Sequence, residues 1–475
     1  MKTLENIIKN YEFFITCYSF LYIATYLVLA ILSYLAIKKY YNSKYFLLKE
    51  VLVKSNHSLG VSIVAPAYNE EKTIVFNVKS LLSQEYPKFE VIIINDGSKD
   101  STLEKLIREF SLVKVDFFYQ EKIPTKPVRG HYKSTNPIYS KLLIVDKENG
   151  KSKADASNAG INSAKYSLFL CTDVDCILRR DTIMMLAKPF IENTVKVIAT
   201  GAAIRISNSC EFKDGMLYKS YYPDNFFARF QELEYIRAFL FGRMAWSQTN
   251  CLLLVSGGLG MFDKETVIEA GGYWHKSLGE DMDLITRMRK LMHEKNEKFL
   301  ITYIPESLCW TEVPSTMNVF LRQRVRWARG LVQTLYLHKK IFLNPKYGRT
   351  GLIVFPYFVF CEFAVPILEL TGLIVLLLDY LFFDINYDFL LIVSAFVYLF
   401  YISITLISVF LDQLIYKHYS SIKEIIILVL MVFLEPFIYH PINVFASLKG
   451  YSYFLRKKEQ KWGTMIRQGF KNSSE

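Results

Sequence analysis

The chain has 475 residues, of which 52% are hydrophobic and 15% aromatic, and it carries a formal net charge of +12. This length can hold two or three domains, and the apolar share is high for a soluble protein. Basic residues cluster beside the outermost apolar stretches: Lys38, Lys39, Lys44, Lys49 and Lys54 at one end, and Lys449, Arg456, Lys457, Lys458, Lys461 and Arg467 at the other. Because such clusters mark the cytoplasmic ends of membrane spans, we expect a membrane protein and no nucleic-acid partner.

The first predicted element is a membrane span from Phe13 to Ile37. This stretch has no charged side chain, and it is longer than the ~20 residues that cross a bilayer as a helix. A cleaved signal peptide would instead have an apolar core of ~7 to 15 residues and a small-residue cleavage site. We therefore expect an anchor over residues 1–45, with the N-terminus outside and residues 46–349 forming a cytoplasmic domain.

Two strand–loop–helix units open the central domain. The apolar run Val61–Ala67 leads into Asn69 and Glu70, and the β-branched run from Val91 to Ile94 ends at Asp96. Continuous apolar runs of this kind are typical of strands in a parallel sheet, whose ligands bind beyond the carboxyl ends of the strands. We therefore expect Asn69, Glu70 and Asp96 to lie near a ligand.

A long loop, a helix and a third strand follow. The stretch from Glu121 to Gly150 is rich in Pro, Lys, Tyr and Asn and has no periodicity, which predicts a loop. The next residues predict a helix of small residues whose N-terminus places Lys153 where a phosphate could bind. A strand then ends at Asp173 and Asp175, two carboxylates that could hold a hard divalent cation. Each motif taken alone also fits a solvated turn or surface lysine.

The order of these motifs resembles the family-2 glycosyltransferases. The resemblance implies an α/β fold, a cytoplasmic GT-A (Rossmann-like) catalytic domain with flanking transmembrane helices, and a UDP-sugar donor. It assigns Mg²⁺ or Mn²⁺ to Asp173 and Asp175. It assigns the donor site to Ala67, Asn69, Glu70, Asp96, Lys153, Asn158 and Asp173. One departure is Asp155, where the family commonly has a small residue.

Later motifs extend the resemblance to the membrane-bound members of the family. Gly258 lies in a glycine-rich stretch similar to their acceptor-side loop, and Glu280-Asp281 matches their acidic pair, in which the Asp is the general base. The segment from Pro223 to Gln248 has apolar residues at helical spacing with arginines between them. It fits a helix on the inner membrane face, which we favour, or a core helix.

The string Gln323-Arg324-Val325-Arg326-Trp327 matches the signature of processive synthases such as those for hyaluronan, cellulose and poly-N-acetylglucosamine. The resemblance implies that Trp327 stacks on the acceptor sugar and that Gln323, Arg324 and Arg326, together with Gly258, contact acceptor or diphosphate. A basic amphipathic helix at the membrane surface is the alternative.

Three more apolar blocks, Leu352 to Phe383, Phe389 to Tyr416 and Ile425 to Leu448, predict a membrane region over residues 350–450 with a basic tail over 451–475. Four simple crossings would leave this tail outside, against its charge. One block must therefore depart from a simple crossing, either the last, with Glu435-Pro436, or the first, with Pro356 and Pro366.

The sequence thus predicts an integral protein of the cell or inner membrane that transfers a sugar, with inversion, from a UDP-sugar to a growing polysaccharide. An alternative is a non-processive transferase that adds one sugar to a lipid. A catalytically idle membrane regulator is a third interpretation, but it would be expected to lack one of the carboxylates. The expected partners are donor, polysaccharide or lipid acceptor and membrane lipid, with room for an accessory export subunit.

Overall fold

The computed structural model describes residues 2–42, 58–213, 216–383, 387–416, 418–419, 421–458 and 471–472. Of the basic residues used for the topology prediction, five lie outside the described residues: Lys44, Lys49, Lys54, Lys461 and Arg467. The strands are β1 (Val61–Ala67), β2 (Phe89–Asp96), β3 (Leu112–Val115), β4 (Val128–Ser134), β5 (Leu142–Lys147), β6 (Leu168–Thr172), β7 (Ile177–Leu178), β8 (Lys196–Ile206), β9 (Glu211–Lys213), β10 (Met216–Lys219), β11 (Leu259–Asp263), β12 (Phe299–Thr311) and β13 (Lys471–Asn472).

The α-helices alternate with strands in the central domain and follow one another at the C-terminal end. They are α1 (Lys2–Asn42), α2 (Ile74–Leu82), α3 (Thr102–Glu109), α4 (Lys153–Ser163), α5 (Thr182–Glu192), α6 (Phe226–Ile236), α7 (Met244–Gln248), α8 (Lys264–Glu269), α9 (Glu280–Glu294), α10 (Met317–Leu337), α11 (Ala364–Phe382), α12 (Tyr387–Tyr416) and α13 (Ile422–Leu455). A stretch from Thr350 to Phe363, partly π-helical, leads into α11.

A 10-stranded mixed sheet forms the centre of the molecule, in the order β3-β4-β5-β2-β1-β6-β11-β8-β12-β7. Strands β2, β1 and β6 are parallel, as the apolar runs predict, and β5 pairs in parallel with β2 on its other side. Helix α4 lies against β1 and β2. Its small residues allow this contact, because a Cβ on Gly160 would come within 2.5 Å of Val64 Cγ1.

The prediction of a continuous loop from Glu121 to Gly150 was wrong. Strands β4 and β5 lie within it; β5 pairs with β2 in parallel and β4 pairs with β5 antiparallel. The apolar run of β5, Leu142 to Val145, is short and stands among polar residues, so its signal was weak. Strand β4 carries mostly polar side chains, and its pairing with neighbours rather than its own pattern holds it in the sheet.

Within the described ranges, four helices are long and apolar enough to cross a membrane: Thr3–Asn42, Thr350–Phe382, Leu390–Tyr416 and Ile422–Leu455. They correspond to the four predicted apolar blocks. The last is one continuous helix through Pro436 and Pro441, rather than a broken one.

Helix α13 contacts the central domain at both of its ends. Near its start, Glu424 Oε1 accepts a hydrogen bond from the Tyr222 backbone N–H at 3.2 Å. Near its end, a Cβ on Gly450 would lie 2.8 Å from the Val325 carbonyl oxygen of α10. Which C-terminal block departs from a simple crossing stays a prediction.

The segment from Pro223 to Gln248 contains α6, a π-helical stretch from Arg237 to Arg243, and α7. Many of its apolar side chains, among them Phe230 and Leu233, are buried in the protein, whereas Phe226 is 41% exposed. The segment packs between strand β8 and the long apolar helices. Its predicted position on the inner membrane face stays a prediction.

Candidate active site

The carboxyl ends of β1, β2 and β6 meet at one edge of the sheet. Ala67 is paired with Asn95 on β2 and is almost fully buried, so it offers a ligand little more than its backbone. A cavity of about 1980 Å³ begins at this edge, and it is lined here by Asn69, Glu70, Lys153, Asp173 and Asp175. The structure therefore gathers most of the donor-side residues that the motifs predicted.

The loops after β1 and β2 are tied to each other. The Asn69 backbone N–H donates to Ser98 Oγ at 3.0 Å, and Asn69 Oδ1 accepts from the Lys99 N–H at 2.9 Å. Asn69 has a positive φ of 55°, which asparagine tolerates better than most residues. The Glu70 N–H donates to Thr102 Oγ1 at 2.9 Å. Asn69 thus shapes the wall of the cavity through its backbone and side chain together.

Two predicted donor-site side chains bond mainly to the protein itself. Asp96 Oδ1 accepts from Lys147 Nζ at 2.8 Å and from the Gly150 N–H at 3.0 Å, and burial raises the pKa of this carboxyl. Asn158 brackets the backbone of Tyr273: its Nδ2 donates to the carbonyl and its Oδ1 accepts from the N–H, both at 2.8 Å. Asn158 therefore positions the loop ahead of the acidic pair.

Asp173 and Asp175 face a lysine across the cavity. Lys153 Nζ lies 2.5 Å from Asp173 Oδ1 and donates to the Gly257 carbonyl at 2.8 Å. Burial alone would lower the pKa of Lys153, but nearby Asp173 and Asp281 outweigh it and raise this pKa well above its usual value. The ammonium therefore stays charged beside the carboxylates and fits a contact with a diphosphate.

The carboxylate pair fits a hard divalent cation. Ligand atoms of Asp173, Asp175 and Cys176 all lie within 4.8 Å of one another. Carboxylate oxygens suit Mg²⁺ or Mn²⁺, whereas a thiol prefers softer metals. Since Lys153 approaches Oδ1 of Asp173, the second oxygen of that carboxylate is the one left for a metal. Gly258 borders this oxygen, since a Cβ on it would lie 3.8 Å from Oδ2, at ordinary van der Waals distance.

Glu280 and Asp281 begin helix α9, where Glu280 is buried and Asp281 is partly buried. Asp281 Oδ2 accepts from the Gly257 N–H at 2.8 Å, and a Cβ on Gly257 would come within 2.5 Å of the same carboxylate. Burial raises the pKa of both acids, while Lys153 and Arg326 oppose the rise. A carboxylate with raised proton affinity in a cavity is suited to accept a proton.

Helix α10 carries the Gln-x-x-Arg-Trp string and lies directly against the start of α9. A Cβ on Gly330 would be 2.7 Å from the Gly279 nitrogen, so only glycine permits this approach. Gln333 holds the same contact, because its Oε1 accepts from the Leu278 N–H at 3.0 Å. Trp327, 38% exposed, lines the cavity as a result.

The polar residues of the string have different surroundings. Gln323 Oε1 is buried without a hydrogen-bond partner among the described residues, and the side chain lines the cavity. Arg324 pairs with Glu234 at 2.7 Å and stacks over the Trp327 ring at 4.3 Å. Arg324 thus supports Trp327, and its predicted contact with the diphosphate stays a prediction. Arg326 lines the cavity near the acidic pair.

The cavity continues past Trp327 between the long apolar helices. There it is lined by polar residues that sequence reasoning did not assign to the site: Arg237, Tyr401, Glu435, Tyr439, His440 and Asn443. Glu435 is fully buried and receives two hydrogen bonds from Arg237, at 2.9 and 3.0 Å. The only sequence signal was the spacing of polar residues within an apolar helix, which indicates a protein-facing or wet side.

Comparisons with known proteins agree with this geometry. A family model described as "Glycosyltransferase like family 2" matches residues 58–330. The chain is 31% identical to the poly-β-1,6-N-acetyl-D-glucosamine synthase of Staphylococcus epidermidis over 295 residues, which cover 60% of this chain and 60% of that relative. It is 29% identical to the enzyme of the same name from Staphylococcus aureus over 290 residues, covering 60% of this chain and 58% of the relative.

A solved structure supports the fold over a longer part of the chain. The mannosyltransferase PcManGT from Pyrobaculum calidifontis, in complex with GDP-Man and Mn²⁺, matches with a TM-score of 0.58 and 17% identity. The match covers 93% of this chain and 99% of that one. The mixed sheet with its flanking helices is therefore a GT-A fold. With the family model matching more than half of its length, the chain belongs to the glycosyltransferase-like family 2 and is a glycosyltransferase with candidate membrane-spanning helices.

Proposed function

We propose that this enzyme transfers a sugar from a UDP-sugar to a growing polysaccharide, with inversion, and that it does so processively. The observation that carries the proposal is the single cavity that joins Asp173 and Asp175 to Asp281, Trp327 and a polar lining between the apolar helices. Along this cavity we assign, in the order in which the reaction would use them, a donor site, a general base, an aromatic surface for the acceptor sugar and an exit path for the product.

The donor would lie at the sheet edge. Asn69, Glu70 and Asp96 would hold the nucleoside, and Asp173 and Asp175 would hold Mg²⁺ or Mn²⁺ with the diphosphate. The metal, when bound, neutralises the charge that builds up on the departing diphosphate. Lys153 adds a second positive charge beside Asp173. The relative bound to GDP-Man and Mn²⁺ supports a nucleotide sugar and a divalent ion here.

Transfer would proceed by one direct displacement. The acceptor hydroxyl oxygen attacks the anomeric carbon while Asp281 takes its proton, and the bond from that carbon to the diphosphate oxygen breaks, releasing UDP. Attack from the face opposite the leaving group inverts the anomeric configuration. The raised pKa of Asp281 and Glu280 supports the role of base.

The acceptor would rest on Trp327 and leave along the cavity between the apolar helices. Sugar rings present C–H groups to an indole face, which makes tryptophan a suitable floor. Gln323 brings an unpartnered oxygen to the same wall. The staphylococcal relatives, which bear the name of a polymer synthase, support a polysaccharide product.

The decisive experiment incubates membranes containing the full chain with radiolabelled UDP-N-acetylglucosamine, UDP-glucose and GDP-mannose in separate arms, and sizes the product. We expect incorporation from a UDP-sugar into long chains. One sugar per lipid at every donor concentration would replace the polymer proposal by a glycolipid transferase, and incorporation only from GDP-mannose would overturn the donor assignment. Membranes with the Asp281→Asn variant serve as the control.

The enzyme would be a multi-pass protein of the cell or inner membrane with its catalytic domain in the cytoplasm, and an accessory export subunit would be compatible with it. A tag placed after Glu475 tests the topology. Because the tail is basic and α13 contacts the central domain at both ends, we expect a protease to reach this tag only from the cytoplasmic side. Cleavage in intact cells from outside would contradict that arrangement.

A further inference from the structure

Lys147, at the end of β5, is fully buried between two carboxylates. Its Nζ lies 2.8 Å from Asp96 Oδ1 and 2.5 Å from Asp155 Oδ2, and it also donates to the Glu148 carbonyl. Two of the three ammonium donors form hydrogen bonds, to Asp96 Oδ1 and to the Glu148 carbonyl, while Asp155 Oδ2 adds a close opposite charge without a hydrogen bond. A buried charge is tolerated only when it is paired and hydrogen-bonded in this way. The Lys147 ammonium is thus paired with two carboxylates, and Asp155 is one of them.

Asp155 joins the cluster to two other segments. Its Oδ1 accepts from the Lys126 N–H at 3.1 Å, and its own N–H donates to Ser152 Oγ, the cap of helix α4, at 3.2 Å. Lys153, two residues before Asp155 in the same helical turn, contacts Asp173. The carboxylate therefore links the helix that faces the diphosphate to the strand end that faces the nucleoside.

The arrangement also decides which oxygen of Asp96 can meet a ligand. Both hydrogen bonds to this carboxylate, from Lys147 Nζ and from the Gly150 N–H, end on Oδ1. The Asn149 side chain donates to the Asp96 carbonyl at 2.7 Å and holds the backbone of the same residue. With the carboxylate fixed at one oxygen, Oδ2 has no hydrogen bond among the described residues and is the oxygen left for an N–H or O–H donor.

We propose that Lys147 and Asp155 are positioning residues of the donor site, which hold Asp96 charged and oriented for the nucleoside part of the donor. This inference rests on the proposed function, because it assumes that Asp96 contacts the nucleotide. It adds to that function an indirect role for Asp155, whose carboxylate stabilises the buried Lys147, which in turn orients Asp96.

The test measures UDP binding to the purified full chain by calorimetry, and donor KM and kcat by product assay. The Asp155→Asn variant keeps the shape but removes the charge that holds Lys147. Since a hydrogen bond to a charged group commonly changes binding by about tenfold or more, we expect the UDP Kd and the donor KM to rise by about that factor, with kcat at saturating donor nearly unchanged. Asp155→Glu should restore part of the affinity.

Arg129→Met is the matched control. Arg129 pairs with Asp146, the residue before Lys147, but it is about half exposed and has no contact with the cluster among the described interactions. It should leave UDP binding unchanged. A purely structural role for Asp155 would lower the melting temperature of Asp155→Asn and leave the UDP Kd of the folded protein at the wild-type value, which would overturn the proposal.

Two further outcomes keep the test decisive. If Asp155→Asn does not fold, Asp155→Ala carries the comparison, because alanine removes the carboxylate that pairs with Lys147: wild-type UDP affinity in that variant overturns the inference. If the wild-type chain binds GDP but not UDP, or neither, the proposed donor fails before the variants are considered. The failure of the positioning role and the failure of the proposed function are thereby distinguishable.

Discussion

Two regions of this molecule differ in how their carboxylates are paired with basic side chains. At the sheet edge, Asp173 is paired on one oxygen by Lys153 and remains 38% exposed on its side chain. Between the apolar helices, Glu435 is fully buried, and both of its oxygens are bound by Arg237. The difference indicates that Asp173 keeps an oxygen for a ligand, whereas the Arg237–Glu435 pair is complete without one.

A second contrast follows from the same regions. In the first region, Asp281 is held by the backbone N–H of Gly257. The acid in the apolar region is held by a side chain from a distant segment. Loss of a charge in the first region should therefore change chemistry with little effect on folding, and loss in the second should change stability.

The largest expected effect is on catalysis at Asp281. The Asp281→Asn variant keeps the size of the side chain but cannot accept the acceptor proton, so we expect turnover to fall by about 100 to 10,000-fold. UDP binding should persist, because the residue does not belong to the nucleotide loops. Rate at saturating donor and UDP affinity are measured on the same preparation, and near-normal turnover would remove Asp281 from the mechanism.

Breaking the buried ion pair should cost stability rather than chemistry. Arg237→Met leaves Glu435 uncompensated, and removal of one partner of a buried pair typically costs about 3 to 5 kcal/mol. The double variant Arg237→Met with Glu435→Leu should recover most of that loss. Thermal unfolding in detergent measures both, and equal stability of the single variant and the wild type would show that the pair is not essential to the fold.

Removal of the metal tests the proposed role of Asp173 and Asp175. Excess chelator should abolish transfer, and added Mn²⁺ or Mg²⁺ should restore it, because carboxylate oxygens at this spacing suit hard cations. Asp175→Ala should weaken both the response to metal and the retention of UDP. Full activity in chelator would mean that Asp173 and Asp175 act without a metal.

The smallest effect is expected at Trp327. In Trp327→Ala the acceptor loses an aromatic contact worth about 0.5 to 1.5 kcal/mol, while the diphosphate contacts remain. The product should become shorter, with UDP affinity nearly unchanged. A chain-length distribution equal to that of the wild type would exclude Trp327 as the acceptor floor, and Tyr336→Ala, an exposed aromatic further along the same helix, is the matched control.

The residues that follow apolar strands were predictable from the sequence, because strand periodicity places them at one edge of a parallel sheet. Asp173, Asp175 and Asn69 lie there as expected. Strand β4 was not predictable, since its mostly polar side chains carry no alternating pattern and its pairing with β3 and β5 holds it in the sheet. The Lys147–Asp155 pair was hidden for a related reason: Lys147 lay in the stretch interpreted as a loop, where a lysine is expected to be solvated.

The ion pair of Arg237 with Glu435 illustrates a different limit of prediction from one sequence. Each residue could be recognised in the sequence as unusual, an arginine in an apolar helix and a glutamate at membrane depth. Their partnership joins positions almost two hundred residues apart, and one sequence gives no information on which of several arginines would face the glutamate. Similarly, the motif predicts that Gln323, Arg324 and Trp327 share a helix, but the orientation of Arg324 toward Glu234 depends on a neighbouring segment.

The contact between Gly279 and Gly330 has a consequence for the product. The two backbones touch, so the helix that bears Asp281 and the helix that bears Trp327 are spaced by main-chain atoms and not by flexible side chains. A sugar resting on Trp327 would then bring a single ring position within reach of the carboxylate. The regiochemistry of the glycosidic bond would be set by this glycine contact, and a side chain at position 330 would act as a wedge that changes which hydroxyl reacts.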